Sequence, residues 1–291
     1  MLRLRRAIEI YRDEGLLTVV KSAIVFYKGV FVWRIHRLWE YVTGIILSNL
    51  YAIGPVDKFS YNVSLNRLRQ MRISEQGLGD VLETVYRFSG YGFYDHITPL
   101  QHPREIAKLA CTVAANDPET IVEIGTDRGG TLYVWSRYTT ARQIISIDND
   151  FSSCHRSSIR FRNRRKFMRQ FDNNKSLCFI EGDSHSEETL KQLEEIIPPE
   201  IDFLFIDGDH RYEGVKQDFE MYGSIVKNGG IIAIHDIKHP ETGVPEFWRE
   251  IKQKHETEEI YSTSEFSLAF HYGSETAENI RNHNGIGLIY M

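Results

Sequence analysis

Apolar residues fall into two regimes along this chain. From Leu16 onward they recur at Leu17, Val20, Ile24, Tyr27, Phe31, Ile35, Leu38 and Val42, with Lys21, Lys28, Arg34 and Arg37 between them. That is the spacing of an amphipathic helix. From Ile121 onward, short apolar runs alternate with helical patterns. Ile121–Ile124, Ile144–Asp148, Leu177–Glu181, Ile201–Asp207 and Ile231–Asp236 read as strands. Thr131–Tyr138, Ser152–Phe171, Glu187–Ile197, Glu213–Val226 and Pro245–Lys254 read as helices. Such alternation predicts a parallel sheet with helices on both faces. Runs near Glu259–Ser262 and Ile286–Met291 supply two further strands, making seven.

Between the two regimes, Gly54-Pro55 punctuates the chain, and Ser60 to Gly92 reads as a second, less regular helical region ending in Tyr91-Gly92-Phe93-Tyr94. Pro99 and Pro103 bracket Gln101 and His102, and Arg104–Ala115 reads as a helix stopped by Asn116-Asp117-Pro118. The pattern divides the chain into a helical, amphipathic N-terminal extension or lid at 1–95 and an α/β domain at 96–291.

Composition narrows the picture at three points. A net charge of −5 over 291 residues argues against wholesale nucleic-acid binding. The basic run 155–169, with Arg156, Arg160, Arg162, Arg164, Arg165, Lys166 and Arg169, reads as a solvated helix face, with an anionic membrane, an acidic glycan or nucleic acid as alternative partners. Cys111, Cys154 and Cys178 lack C-x-x-C spacing and sit in or beside apolar runs, so they read as reduced core thiols in a cytosolic protein. The basic residues in 16–42 break any span of roughly 20 apolar residues, leaving that helix as a surface element on an anionic membrane at the cytoplasmic face, or as a packed layer in the protein or a homo-oligomer interface.

The chemistry concentrates where strands end. In IVEIGTDRGGT (121–131), Gly125 permits a tight turn, and Gly129 and Gly130 let backbone approach a ligand at a helix N-terminus. A dinucleotide fingerprint would need glycine at 127. Asp127 stands there, with Glu123 just before the turn, which suits a ligand carrying positive charge. Asp148, Glu181, Asp183, Asp207, Asp209, His235 and Asp236 end the following strands at the rim where open α/β sheets bind ligands.

The E-x-G-x-x-x-G-G pattern resembles the first motif of class I S-adenosylmethionine-dependent methyltransferases. IISID (144–148) and FIEGDS (179–184) resemble the second and third, while IDFLFIDGDHRY (201–212) and GGIIAIHDI (229–237) are similar to the later motifs of the cephalosporin-hydroxylase-like and macrocin-type sugar O-methyltransferases. The resemblance covers roughly 101–248. It implies a Rossmann-like doubly wound fold and a cofactor cradle made of Glu123, Gly125, Gly129, Asp148 on the ribose, and Asp183 with Ser184 at the adenine.

The resemblance further implies a divalent cation, Mg²⁺ or similar, on Asp207 and Asp236, with His235 as third ligand unless strand alternation turns it away. His210 would be the general base, since a histidine of ordinary pKa, about 6.5, accepts protons near neutrality. His185 and His239 match no motif and read as loop histidines. The expected reaction is methyl transfer to an oxygen of a sugar, glycan or other small hydroxylated acceptor, free or lipid-linked. A catalytically silent cofactor-binding scaffold and an NAD-dependent oxidoreductase are the rival readings; the intact cradle residues disfavour the first and the missing glycine the second.

Overall fold

The computed structural model describes residues 53–149, 164–172, 174–261 and 284–291. The expected 16–42 helix, Cys154 and most of the basic run lie outside the described residues.

Gly54-Pro55, read as punctuation, instead starts α1 (Gly54–Arg72), because a proline in the first turn sacrifices only an N–H that has no helical partner. α2 (Leu78–Arg87) follows, with the Asp80 carboxylate accepting the Gln76 N–H at 2.9 Å. α3 (Pro103–Ala115) opens the same way as α1, with His102 Nδ1 accepting the Arg104 N–H at 3.1 Å. Then come β1 (Thr120–Ile124), α4 (Gly130–Tyr138), β2 (Gln143–Asp148), α5 (Arg164–Met168), β3 (Ser176–Glu181), α6 (Glu187–Glu194), β4 (Ile201–Ile206), α7 (Tyr212–Tyr222), β5 (Val226–His235), α8 (Val244–Ile251), β6 (Glu256–Ile260) and β7 (Ile286–Tyr290).

The strands form one seven-stranded sheet in the order β3-β2-β1-β4-β5-β7-β6. β1 to β5 pair in parallel, and β7 runs antiparallel to both β5 and β6. The fold is therefore the expected Rossmann-like α/β sheet, and the chain reverses its direction of travel across the sheet between β1 and β4. Ligands of open α/β sheets bind at such a crevice.

Side chains of alternate parity build two cores. Ile121, Ile144, Phe203, Phe205, Ile231 and Leu288 face α1 to α5, whereas Val122, Ile145, Leu204, Ile206, Ile232 and Ile289 face α6 to α8. Leu65, Leu68, Val81, Val85 and Phe88 of the first two helices belong to the former core, and α2 packs on α3 and α4.

Three local expectations change. Cys111 is exposed on the outer face of α3 and Cys178 is half-buried on the edge strand β3, so neither is a core thiol. Arg164 is not solvated: its guanidinium is buried and donates to the carbonyls of His96 at 2.9 Å and Arg128 at 3.3 Å. β6 starts three residues earlier than its apolar run, because Thr257 to Glu259 lie on an edge strand where polar side chains are tolerated. Among the described residues no helix is long and apolar enough to cross a membrane.

Candidate active site

A cleft of about 890 Å³ lies over the carboxyl ends of β1 to β5. Gly125 closes the strand beneath it at φ 86°, and a Cβ there would stand 2.1 Å from the Asp207 carbonyl oxygen, so only glycine allows β1 and β4 to meet this closely. Gly129 caps α4 in the left-handed region, at φ 78°. It does not line the cleft; its Cα packs toward Phe171 and Met168.

The first half of the rim holds its acids with backbone amides. Asp148 Oδ2 accepts the Thr126 N–H at 2.8 Å and the Asp127 N–H at 3.3 Å, which fixes the carboxylate of β2 against the glycine turn of β1. Asp183 is exposed at the end of β3, its Oδ1 accepting the His185 N–H at 3.0 Å. The Ser184 carbonyl accepts the Tyr222 hydroxyl at 2.7 Å, tying this turn to α7. His185, read as a loop histidine, sits on the same scaffold, with Nε2 3.2 Å from the Gly214 carbonyl and 3.4 Å from Asp218 Oδ1. Burial, offset in part by a hydrogen bond from Ser184 and the charge of His185, pushes Asp218 up to about 6.

Glu123 stands apart from these. Strand parity turns it under α4, fully buried, where Oε2 accepts the Trp135 indole N–H at 2.8 Å, and it does not line the cleft. Burial outweighs the hydrogen bonds from Thr131 and Trp135, and with Asp207 and Asp148 nearby the carboxyl is pushed up to about 8.

The second half of the rim holds its acids with imidazoles. Asp207 and Asp236 follow the adjacent strands β4 and β5. His210 Nδ1 lies 2.6 Å from Asp236 Oδ2, and its Nε2 lies 3.5 Å from Asp207 Oδ1. His235 Nδ1 is 2.8 Å from Asp207 Oδ1 and 3.2 Å from Asp236 Oδ1. His235 and Asp236 are neighbours, yet both reach the cluster, because Asp236 leaves the strand at φ 66° and breaks the alternation. Gln101, on the turn before α3, donates from Nε2 to Asp207 Oδ2 at 2.5 Å.

Charge follows geometry here. Burial alone would raise the Asp207 carboxyl, but the His235 charge and hydrogen bonds from both histidines hold it well below the usual carboxylate range. Asp236 is lowered against its burial in the same way, by the charge of His235 and the hydrogen bond from His210. Burial opposes the charge on His210, yet the two carboxylates push it up to about 11, and His235 up to about 9. The two carboxylates thus favour the protonated ring of His210 over the free histidine assumed from sequence.

The donor set does not fit the expected cation as it stands. Asp207 Oδ1 and Oδ2 and Asp236 Oδ2 already meet His235, Gln101 and His210, and among the described residues no group of three or more such side chains is arranged to hold an ion. Asp236 Oδ1 is buried without a hydrogen-bond partner.

The cleft does fit a cationic nucleoside ligand. Asp148 is held against the glycine turn and lines the cleft, Asp127 and Glu105 add negative charge, and the Oδ1 of Asp127 is buried without a hydrogen-bond partner. Gln101, Glu105, Asp127, His185 and His239 all line the cleft beyond the residues read from motifs. Only Asp127 carried a sequence signal, as the acid in place of a dinucleotide glycine.

Residues 122–237 match the family model described as a methyltransferase domain. An uncharacterized protein of Acanthamoeba polyphaga mimivirus is 33% identical over 135 residues, 46% of this chain and 58% of that protein, so the chain spans a little over half the length of that relative. Among solved structures, a Klebsiella pneumoniae protein taken to be an O-methyltransferase superposes with a TM-score of 0.50 at 15% identity, over 80% of this chain and 99% of that one. TomG, an O-methyltransferase of Streptomyces achromogenes solved with S-adenosylmethionine, gives 0.49 at 13% identity over 75% and 91%. The sheet order gives the chain a Rossmann-like fold, and residues 122–237 within it match a methyltransferase domain.

Proposed function

We propose that the enzyme methylates a hydroxyl of a sugar, glycan or similarly polar small molecule, using His210 as the base. The observation that carries this reading is the half-exposed imidazole of His210, which lines the cleft and is shared by Asp207 and Asp236, whereas His235 between the same acids is buried. S-adenosylmethionine supplies an electrophilic methyl group on a sulfonium. The acceptor oxygen forms a bond to that carbon as the carbon–sulfur bond breaks, and the hydroxyl proton leaves to His210 Nε2. Asp236 keeps the short bond to Nδ1, so the ring stays oriented while Nε2, on its longer contact, is the nitrogen that exchanges its proton. The fixed positive charge of a sulfonium in the same cleft opposes the proton on His210 and favours the basic form.

A polar acceptor is supported by the wall beyond His210. Arg211, His239, Glu241, Thr242 and Asn284 line it, and no Phe, Tyr or Trp lines the cleft among the described residues, whereas a flat aromatic acceptor would call for an apolar slot. A lipid-linked acceptor reached by peripheral membrane contact through 16–42, in a cytoplasmic setting, belongs to the same proposal. The direct test is incubation with methyl-labelled cofactor and an extract fractionated into lipids, glycans and small metabolites. Label appearing in the glycan or lipid-linked glycan fraction supports the reading; label confined to aromatic metabolites, or none with His210 intact, overturns it.

A further inference from the structure

Gln101 belongs to none of the strand-end motifs, yet it is built into the site from three sides. It is 3% exposed, its carbonyl accepts the Tyr86 hydroxyl at 2.7 Å, and its Nε2 donates to Asp207. Because the Asp207 carboxylate only accepts, the carboxamide must present its NH₂ end there and its Oε1 away from it. That Oε1 is buried and has no hydrogen-bond partner. A buried acceptor left unpaired is costly, and its presence in a ligand cleft points to a donor that arrives with the ligand.

The strand order says which part of the ligand this is. Asp148 ends β2, and Asp183, on the adenine side, ends β3. A nucleoside held by its ribose at Asp148 with its base toward β3 must extend its other end toward β1 and β4. There the turn before α3 closes in: a Cβ on Gly130 would lie 2.5 Å from the Ile97 carbonyl oxygen and the Pro99 nitrogen. Gln101, Glu105 and Asp127 line this end of the cleft. Arg128 also lines the cleft, its Nε 3.9 Å from Asp127 Oδ2. The amino-acid end of the cofactor carries a carboxylate, which only accepts, and an ammonium, which only donates, so an acceptor oxygen such as Oε1 can pair with the ammonium alone.

Resting on the methyltransferase reading, we propose that Gln101 Oε1 accepts a hydrogen bond from the α-ammonium of S-adenosylmethionine, making Gln101 a cofactor-binding residue that is locked in orientation by Asp207. The bridge couples the two halves of the site: the same carboxamide reads the cofactor with one end and Asp207 with the other.

The test is calorimetry on the full chain with S-adenosylhomocysteine and with its analogue lacking the α-amino group. The parent protein should bind the analogue roughly tenfold more weakly or worse. Gln101→Met should bind S-adenosylhomocysteine about as weakly as the parent binds the analogue, and should bind the analogue as the parent does; Gln101→Asn, which keeps polarity but not reach, should behave alike. Equal weakening of both ligands would show a structural role and overturn the proposal, as would discrimination that survives in the variants. If neither variant folds, a parent protein that binds the two ligands equally overturns it. A parent protein that binds S-adenosylhomocysteine not at all would instead sink the methyltransferase reading beneath it.

Discussion

The two halves of the rim hold carboxylates by opposite means. Along β2 and β3, Asp148 and Asp183 are held by backbone N–H groups, which cannot titrate and cannot leave. Along β4 and β5, Asp207 and Asp236 are held by imidazoles, which can do both. The first arrangement presents a fixed charge pattern to a ligand. The second stores protons beside it, and only the second can take part in bond making.

That contrast can be broken most severely at His210. His210→Ala should lower kcat by roughly 10²–10⁴-fold, the usual cost of losing a general base, while calorimetry with S-adenosylhomocysteine stays near the parent value. Asp236→Ala should follow it, because the ring loses its 2.6 Å anchor. An unchanged kcat in both would transfer proton removal elsewhere. The pH profile sharpens the point: with its pKa raised from 6.5, His210 is basic only on the alkaline side, so kcat should climb with pH to a limb above 6.5 that His210→Ala abolishes. A limb at or below 6.5 would mean that the acids do not hold the ring in the working complex.

Asp148→Ala tests the other half. It should weaken S-adenosylhomocysteine by roughly 10- to 100-fold, as expected for hydrogen bonds to a charged group, with little change in kcat at saturating cofactor. Smaller is the effect at Glu123, whose carboxyl is raised from 4.5 to about 8. A group raised in this way contributes stability that is complete below about pH 4.5 and lost as pH rises through about 8. Glu123→Gln should therefore flatten that decline and, at pH 8, be the more stable protein by on the order of 2 kcal/mol in denaturant titrations. A parent and variant with parallel pH curves would show that Glu123 is ionised throughout. The smallest effect is expected from chelation. With imidazoles on both acids, excess EDTA should leave turnover within about twofold, whereas an absolute requirement for added Mg²⁺ would mean that an ion displaces His210 and His235.

How far these positions were legible depends on what sets them. Strand positions and rim acids follow from local periodicity and from the rule that ligands meet strand ends, so Asp148, Asp183, Asp207 and Asp236 could be read directly. Glu123 sits at the right place in the right motif, but its direction is set by parity, which sends it under Trp135. His235 was ambiguous for the converse reason: alternation assumes a strand that continues, and one left-handed residue, Asp236, ends it. The charge of His210 could be read only in part, since one of the two acids that raise it, Asp236, follows a neighbouring strand. Gln101 and Arg164 owe their burial to contacts across 106 and 68 positions of sequence, beyond any local window.

The order of the sheet also bears on how the molecule is assembled. β6 precedes β7 in the chain but lies outside it in the sheet, touching the rest of the strands only through it. β6 therefore joins the sheet only through residues 286–290, and until these have inserted beside β5 that strand presents a bare, apolar edge. Pairings that must wait for a distant segment are slow to form, and an unpaired apolar strand is the surface on which incompletely folded chains aggregate. Refolding yield should thus be governed by docking of β7, and substitutions at Leu288 or Ile289 should slow recovery from denaturant more than equal losses of stability elsewhere in the core.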